Sequence, residues 1–204
     1  MITIIDYGLG NIRAFVNVYE RLNIKTRVAH SADDLKAASK IILPGVGAFD
    51  HAMSQLNQSG MRKELEKQVF INKVPVIGIC VGMQILAKSS DEGILPGLGW
   101  IDGIVKIFDA SKINYKTRLP HMGWNTIRPV NDNPLMLGFN AESRFYFLHS
   151  YYFVCNNAEN VISTTEYGIT YASAINRENI FGIQFHPEKS HSNGIQLLHN
   201  FAKL

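Results

Sequence analysis

Cys80 occupies a sequence context that suits a catalytic nucleophile. The segment Gly78-Ile79-Cys80-Val81-Gly82 lies at the end of the apolar run 75–79 and before a predicted helix, which is the setting of a nucleophile elbow. A helix N-terminus favours the thiolate, and backbone N–H groups such as that of Val81 can face a developing oxyanion. The alternative is a small buried hydrophobe, the commoner fate of a free cysteine. Taken alone, the segment leaves both interpretations open.

A base follows 106 positions (186 − 80) after this cysteine, and an acidic partner stands two positions further on. His186-Pro187-Glu188 comes just after the apolar run 180–183. Pro187 biases His186 toward extended backbone, and extended residues two apart point to the same side, so Glu188 is predicted to approach the His186 ring. A thiol, a base and an acidic orienter are the groups that acyl transfer needs. By itself, the tripeptide is usually only a turn.

Pro44-Gly45-Val46-Gly47 is the third segment with chemical potential. Its glycines allow unusual backbone angles and a close approach to a ligand. The amides of Val46 and Gly47 are therefore candidate oxyanion donors that would complement the amide of Val81. A plain connection between a strand and a helix is an equally good interpretation of this stretch alone.

Several other classes of function lack support in the sequence. Gly8-Leu9-Gly10-Asn11 follows a strand, but Arg13 stands where a dinucleotide-binding fingerprint needs its third glycine. No paired Cys-x-x-Cys or histidine cluster predicts a metal, and no cofactor is expected. A net charge of +3 with scattered Lys and Arg gives no case for nucleic acid. Cys80 and Cys155 are not expected to form a disulfide, and Cys155 is expected to be structural.

The expected compartment follows from what the first residues lack. The chain begins Met1-Ile2-Thr3-Ile4-Ile5-Asp6, without the basic segment and long apolar stretch of a secretory signal. No apolar run approaches the length of a membrane-spanning helix. We therefore expect a cytoplasmic protein that does not associate with membranes.

Two textures of hydrophobic pattern predict the architecture that must position these residues. Up to about residue 99, apolar runs at 2–5, 26–29, 40–43 and 75–79 predict strands, while helical spacing at 12–22, 49–56 and 83–86 predicts helices. Beyond it, short β-rich segments are predicted at 104–108, 123–128, 145–154, 161–165, 169–174 and 180–185, before a closing helix 190–204 capped by Ser190 or Ser192. We expect an α/β fold with a mixed, mostly parallel central sheet flanked by helices and an additional antiparallel β portion. With 204 residues, the chain is expected to form a single domain, 1–204.

Taken together, these segments resemble the class I glutamine amidotransferase family. The resemblance is carried, in order and spacing, by Pro44-Gly45-Val46-Gly47, Gly78-Ile79-Cys80-Val81-Gly82-Met83-Gln84 and His186-Pro187-Glu188. Further segments resemble the glutaminase subunits of imidazole glycerol-phosphate synthase: Asp6-Tyr7-Gly8-Leu9-Gly10-Asn11, Pro120-His121-Met122-Gly123-Trp124-Asn125, Phe147-Leu148-His149-Ser150-Tyr151 and His186-Pro187-Glu188-Lys189-Ser190. The match runs nearly end to end, so the chain is expected to be one glutamine amidotransferase type 1 domain.

The resemblance implies a role for each matching residue. Cys80 would be the nucleophile, His186 the general base and acid, and Glu188 its orienter. The residues that fall where the family holds glutamine are Gly47, Gln84, Glu92, Ser150 and Tyr151. The Pro-Gly-Val-Gly segment would have to reorient before it offers an oxyanion donor, with Gly45 and Gly47 as pivots, so the isolated chain would be nearly idle.

The resemblance also implies a partner. Glutamine would be the substrate, and the released ammonia would pass to the cyclase subunit of imidazole glycerol-phosphate synthase in a heterodimer of the histidine pathway. The partner-interface candidates are Asn11, Arg118, His121, Met122 and Trp124. Arg118 stands where lysine is more usual in the family, and Asp102 where proline often stands.

Three alternatives remain open from the sequence. The subunit could serve an amidotransferase that aminates surface sugars, which keeps the chemistry and changes the acceptor. A non-catalytic regulatory subunit would keep the fold without turnover, although the intact set of Cys80, His186 and Glu188 argues against it. A free-standing cysteine hydrolase would turn over rapidly as an isolated chain.

Overall fold

The N-terminal half alternates strands and helices because its apolar residues alternate between continuous runs and helical spacing. The computed structural model describes all 204 residues. The helices are α1 (Ile12–Arg21), α2 (Ala32–Leu35), α3 (Phe49–Gln58), α4 (Arg62–Phe70), α5 (Val81–Gln84) and α6 (His191–Lys203). The strands are β1 (Ile2–Ile5), β2 (Thr26–Ala29), β3 (Lys40–Gly45), β4 (Val76–Cys80), β5 (Ser89–Ser90), β6 (Gly103–Ile107), β7 (His121–Thr126), β8 (Arg128–Pro129), β9 (Arg144–His149), β10 (Tyr151–Cys155), β11 (Val161–Tyr167), β12 (Ile169–Arg177) and β13 (Ile180–Ile183).

One 11-stranded mixed sheet carries most of these strands, in the order β2-β1-β3-β4-β13-β12-β10-β6-β5, with β11 beside β12 and β8 beside β11. The pairs from β2 to β13 are parallel. The pairs that join β13, β12, β10 and β6 are antiparallel. Every residue of β1 and β4 is buried, as expected of parallel strands covered on both faces. The predicted fold class, including its antiparallel portion, is confirmed.

A second sheet consists only of β7 and β9, paired antiparallel from His121 opposite His149 to Thr126 opposite Arg144. Its side chains alternate in burial, as the two-residue period of a strand requires. An isolated bridge between Tyr146 and His186 joins this sheet to the segment after β13. The small sheet therefore lies against the residues that follow the main sheet.

The helices flank the main sheet and pack against one another in pairs, α1 with α6 and α2 with α4. Tyr19 on α1 donates a hydrogen bond of 3.1 Å to the carbonyl oxygen of Leu198 on α6, which ties the two ends of the chain together. The apolar core is continuous through both halves of the molecule. No helix is both long enough and apolar enough to cross a membrane.

Several predicted elements differ from the structure for identifiable reasons. The predicted strand 145–154 is two strands, because β9 pairs with β7 while β10 pairs with β6 and β12, and the chain changes sheet at Ser150. The helix expected to carry Ile85 and Leu86 ends at Gln84, so α5 is a single turn. The helices α2 and α4 were not predicted. Ser190 is the N-cap of α6 but makes no capping bond, because its hydroxyl donates to the His186 carbonyl oxygen at 2.6 Å.

Candidate active site

Three adjacent parallel strands deliver the predicted site residues to one edge of the main sheet. In β3 and β4, Gly45 and Cys80 are paired at the carboxyl ends. Ile183, the last residue of β13, pairs with Ile79, the residue that precedes Cys80 in β4. His186 follows Ile183 by three residues and so continues past the same edge. Parallel strand order, rather than proximity in sequence, therefore brings the thiol and the imidazole together.

Cys80 has the strained backbone of a nucleophile elbow. Its φ is 57° and its ψ is −114°, a combination that residues other than glycine rarely adopt. The turn is packed too tightly for larger residues nearby, since a Cβ at Gly78 would collide with the Gly82 carbonyl group. The Sγ of Cys80 contacts the Leu148 carbonyl oxygen at 3.9 Å and the Gln184 amide nitrogen at 3.8 Å. A strained backbone and close packing therefore hold the Cys80 thiol in place.

The imidazole of His186 is fixed by its neighbours. Its Nδ1 lies 2.8 Å from Oε1 of Glu188, and both side chains are almost fully buried. The approach of Glu188 was predicted correctly, but for the wrong reason, because residues Pro187–Lys189 form a 3-10 turn rather than extended chain. The His186 backbone N–H donates to the Tyr146 carbonyl oxygen at 2.9 Å, and this bond holds the turn against β9.

The charge state of His186 depends on two opposing effects. Burial alone would lower its pKa, but hydrogen bonding and charge interactions with the side chains of Cys80 and Glu188 outweigh burial and raise the pKa to about 10. The second carboxylate oxygen of Glu188, Oε2, is buried without a hydrogen-bond partner, so the His186 imidazole is the one hydrogen-bond partner of this side chain. A protonated His186 is therefore favoured at neutral pH.

The other cysteine does not compete as a nucleophile. Cys155 is half-buried at the end of β10, and burial raises the pKa of its thiol to about 12. The predicted structural role of Cys155 agrees with this position. No group of three or more His, Cys, Asp or Glu side chains is arranged to hold a metal ion.

Cys80 and His186 open into a cavity of about 290 Å³. Its lining includes every residue predicted to bind glutamine or an oxyanion: Val46, Gly47, Val81, Gln84, Glu92, Ser150 and Tyr151. The lining residues that the sequence reasoning missed are Pro120, Leu148, His149 and Lys189. Three of these four lie inside motifs quoted above for the resemblance and one begins such a motif, so the signal was present but unassigned. Glu188 lies behind His186 rather than in the cavity wall.

Two of the predicted glutamine-binding side chains also make internal hydrogen bonds. The amide nitrogen of Gln84 donates to the Tyr151 carbonyl oxygen and to the Gln184 side-chain oxygen, both at 3.1 Å. The Glu92 carboxylate accepts the Phe49 backbone N–H at 2.8 Å. Both side chains are therefore held in fixed positions at the cavity wall.

The two glycines of the Pro44–Gly47 segment are needed for different reasons. Gly47 has a φ of +85°, and its side-chain direction is open, so the backbone angle is what requires glycine there. Gly45 has no such angle, and a Cβ there would collide with the Gly82 backbone nitrogen. In this conformation Gly45 is therefore needed for close packing against α5, and its expected role as a pivot in the reorientation stays a prediction.

The partner-interface candidates divide by exposure. Asn11, Arg118, Met122 and Trp124 are exposed. His121 is only 3% exposed, which corrects its prediction as an interface residue. The reason is strand alternation in β7, which turns Met122 and Trp124 outward and His121 inward.

The comparisons with known proteins extend over the whole chain. The family model of class-I glutamine amidotransferases matches residues 3–204. Proteins named imidazole glycerol phosphate synthase subunit HisH are 54% identical in Bdellovibrio bacteriovorus and 50% identical in Leptospira interrogans, covering 100% of each chain. A Pseudomonas aeruginosa protein named imidazole glycerol phosphate synthase subunit HisH 2 is 45% identical, again over 100% of each chain.

Solved structures of lower identity show the same fold. A structure described as a glutamine amidotransferase superposes with a TM-score of 0.75 at 18% identity, covering 100% of this chain and 98% of that one. A chain of the PurLQS structure from Thermotoga maritima superposes with a TM-score of 0.74 at 17% identity, covering 99% and 97%.

Proposed function

Because the chain belongs to the class I glutamine amidotransferase family, we propose that it is the glutaminase subunit of imidazole glycerol-phosphate synthase. It hydrolyses glutamine to glutamate and supplies ammonia to the cyclase subunit, in the cytoplasm and as part of histidine biosynthesis. All 204 residues act as one glutamine amidotransferase domain. The full-length relatives that carry this subunit's name favour the cyclase over a sugar-amidating partner.

The observation that carries the proposal is the alignment of thiol, imidazole and carboxylate at one cavity. Cys80 sits on a strained turn at the cavity wall, and His186 faces the same space while Glu188 holds its far nitrogen at 2.8 Å. Since Nδ1 of His186 is bound to Glu188, Nε2 is the nitrogen available for proton transfer. A non-catalytic subunit would have no use for this strain or for a buried carboxylate.

In the first half of the reaction, the Cys80 thiolate attacks the side-chain carbonyl carbon of glutamine. The carbonyl π electrons move onto oxygen, and the N–H of Val81, at the first position of α5, donates to that oxyanion. Backbone N–H groups of Val46 and Gly47 supply the second donor after the segment reorients. The protonated His186 gives its Nε2 proton to the departing nitrogen, the C–N bond breaks, and ammonia leaves a glutamyl thioester.

In the second half, neutral His186 removes a proton from water as the water oxygen attacks the thioester carbonyl carbon. The tetrahedral intermediate collapses by breaking the C–S bond, which releases glutamate and regenerates the thiolate beside a protonated imidazole. Gln84, Glu92, Ser150 and Tyr151 hold the amino-acid end of the substrate at the cavity wall. No cofactor takes part in either half.

The outer face of the small sheet is the proposed docking surface for the cyclase. Met122 is 60% exposed and pairs across the sheet with Leu148, which is 37% exposed and lines the cavity. Trp124 continues the apolar strip and stacks on His191 with ring centroids 5.1 Å apart. Three exposed apolar residues, Met122, Trp124 and Leu148, thus lie together beside a reactive cavity, which indicates an interaction surface.

The test is reconstitution with the cyclase subunit and its nucleotide substrate. We expect this chain to release glutamate and to support imidazole glycerol-phosphate formation from glutamine, whereas the Cys80→Ala complex should do so only from ammonium salts. Glutamine-dependent product formation by the Cys80→Ala complex would refute the proposal. Activation by a sugar-amidating enzyme instead of the cyclase would keep the chemistry and reassign the acceptor.

A further inference from the structure

A buried set of polar side chains connects the small sheet to the glutamine cavity. His121 on β7, His149 at the end of β9 and Tyr171 on β12 meet with three mutual contacts of 3.1 Å, between His121 Nδ1, His149 Nε2 and the Tyr171 hydroxyl. All three residues are at most 6% exposed. Asn125 contacts the outer nitrogen of His121 at 3.2 Å, and the Tyr151 carbonyl oxygen contacts the outer nitrogen of His149 at 2.7 Å. Neither the catalytic chemistry nor the docking surface accounts for this set.

The protons in this set can be assigned by elimination, beginning at Asn125. Its side-chain oxygen accepts the Thr126 backbone N–H at 2.8 Å, and its nitrogen donates to the Glu166 carbonyl oxygen at 2.9 Å. A backbone N–H can only donate and a carbonyl oxygen can only accept, so the orientation of this amide is fixed. The remaining amide hydrogen faces His121 Nε2, which must accept it. A neutral His121 therefore carries its proton on Nδ1.

The same elimination applies from the cavity end. The Tyr151 carbonyl oxygen can only accept, so Nδ1 of His149 carries the proton and its Nε2 is an acceptor. The Tyr171 hydroxyl cannot donate to His121 Nδ1, which already holds a proton, so it donates to His149 Nε2. The Nδ1–H of His121 then faces two acceptors at 3.1 Å, the Tyr171 oxygen and His149 Nε2. Donation therefore runs in one direction, from Asn125 through His121 to Tyr171 and His149, and from His149 to the Tyr151 carbonyl.

Burial keeps both imidazoles neutral, as this order of donors requires. Burial lowers the pKa of His121 to about 4, and burial together with the neighbouring His121 lowers the pKa of His149 to about 3. A protonated ring would place a second hydrogen where the set has room for only one.

The last acceptor in the set is part of the cavity. The Tyr151 carbonyl oxygen accepts from His149 Nδ1 and also from the Gln84 amide at 3.1 Å. Two donors converging on one oxygen fix the position of the backbone where the chain passes from β9 to β10 and the position of the Gln84 side chain. Both belong to the proposed glutamine site.

We propose that His149 is a positioning residue for glutamine. Its Nδ1–H holds the Tyr151 carbonyl, and through that carbonyl the Gln84 side chain. Tyr171, His121 and Asn125 impose the Nδ1–H tautomer on His149. The effect on glutamine rests on the proposed function, whereas the tautomer does not. His149 does not exchange protons with the substrate, so its loss should weaken substrate binding more than it slows the chemical step.

The tautomers are tested directly by long-range ¹⁵N–¹H correlation spectra of the protein labelled at histidine, with the two rings assigned through His121→Asn and His149→Asn. At pH 7 we expect both rings to have a protonated Nδ1 and an unprotonated Nε2, and to remain neutral down to about pH 5. An Nε2–H form or a charged ring at pH 7 at either position would overturn the assignment. This measurement requires no activity.

The positioning role is tested by the kinetics of the complex with the cyclase. In His149→Asn the amide nitrogen takes the place of Nδ1, whereas in His149→Gln it takes the place of Nε2 and cannot reach the Tyr151 carbonyl. We expect the KM for glutamine to stay within about threefold of wild type in His149→Asn and to rise by about tenfold or more in His149→Gln, with kcat within about threefold in both. Equal KM values in the two variants, or a loss confined to kcat, would overturn the role.

A matched control separates positioning from general destabilisation. Ser163 and Ser173 share a buried hydrogen bond of 3.1 Å between β11 and β12, away from the cavity wall. Ser163→Ala should lower the Tm without changing the KM for glutamine. A KM increase in Ser163→Ala as large as that in His149→Gln would reduce the effect to stability and overturn the proposal. Failure of the proposed function would appear differently, as glutamine hydrolysis by the Cys80→Ala complex with the tautomers unchanged.

Discussion

Replacing Glu188 by glutamine tests how much the buried carboxylate contributes to the reaction. The side chain keeps its shape and still presents an oxygen to His186 Nδ1, which lies 2.8 Å away, but the charge is lost. A hydrogen bond to a charged group contributes about 1.5–3 kcal/mol and a neutral one about 0.5–1.5 kcal/mol. The difference of about 1–2 kcal/mol corresponds to a kcat lower by roughly 5- to 30-fold. His186→Ala, which removes proton transfer altogether, should cost roughly 10²- to 10⁴-fold.

The same substitution should change the pH dependence in a fixed direction. The Glu188 carboxylate is one of the groups that raise the pKa of His186, so Glu188→Gln lowers that pKa. His186 must be protonated to release ammonia, and its deprotonation gives the alkaline limb of activity. That limb should therefore move to lower pH in the variant.

The assay is glutamate production by the complex with cyclase and nucleotide, measured across the alkaline range for wild type and both variants. Ammonium-dependent product formation serves as the control, because it bypasses the glutaminase site and should be unchanged. A Glu188→Gln complex within twofold of wild type, with its alkaline limb in the same place, would refute the role assigned to the carboxylate. Wild-type rates in His186→Ala would refute the mechanism as a whole.

Three further predictions follow from the structure. Cys80→Ser should abolish glutamine hydrolysis while leaving the affinity for the cyclase unchanged, measured by calorimetric titration; loss of binding would place the thiol in a structural role. The isolated chain should produce glutamate roughly 10²- to 10³-fold more slowly than the complex with nucleotide, because one oxyanion donor is missing, and equal rates would favour a free-standing hydrolase. The free energy of unfolding should decrease as the pH is lowered below about 6.5, because His121 and His149 bind protons there in the unfolded chain. In the folded protein the two rings bind protons only near pH 4 and near pH 3, respectively. At pH 5 each contributes about 2 kcal/mol of this loss, so urea midpoints should show about half the dependence in His149→Asn, and an unchanged dependence would contradict the neutral burial.

The parallel half of the fold was predictable because its strands are continuous apolar runs. Residues 2–5 and 26–29 were predicted with the bounds that the structure has. The antiparallel half was less predictable, because residues 145–154 are uniformly strand-like and nothing local indicates that they change sheet at Ser150. The pairing partners β7, β6 and β12 decide that break, and the paired residues are 18 or more positions apart along the chain, as in Thr126 with Arg144 and Phe153 with Ala172.

The site was predictable where a residue type is needed for chemistry, and less so where a residue supports another. Cys80, His186 and the segment 44–47 stand out by their composition, and the cavity brings them together. Gln184 and Tyr171 give no such signal, since a glutamine or tyrosine in an apolar strand is compatible with simple packing. Their contacts arise only after β12 and β13 pair and bring their side chains beneath the Cys80 turn and the end of β9.

The position of Leu148 connects the chemistry to the proposed partner. Its side chain lines the cavity and is also exposed beside Met122 on the outer face of the small sheet, while its carbonyl oxygen contacts Sγ of Cys80 at 3.9 Å. A partner seated on that face would therefore cover the mouth of the cavity. Ammonia is a nucleophile only when unprotonated, and in neutral water most of it is protonated, so release beneath a covering partner preserves its reactivity. Docking and catalysis then share a strand, which gives a physical reason for the partner to influence the turnover of this site.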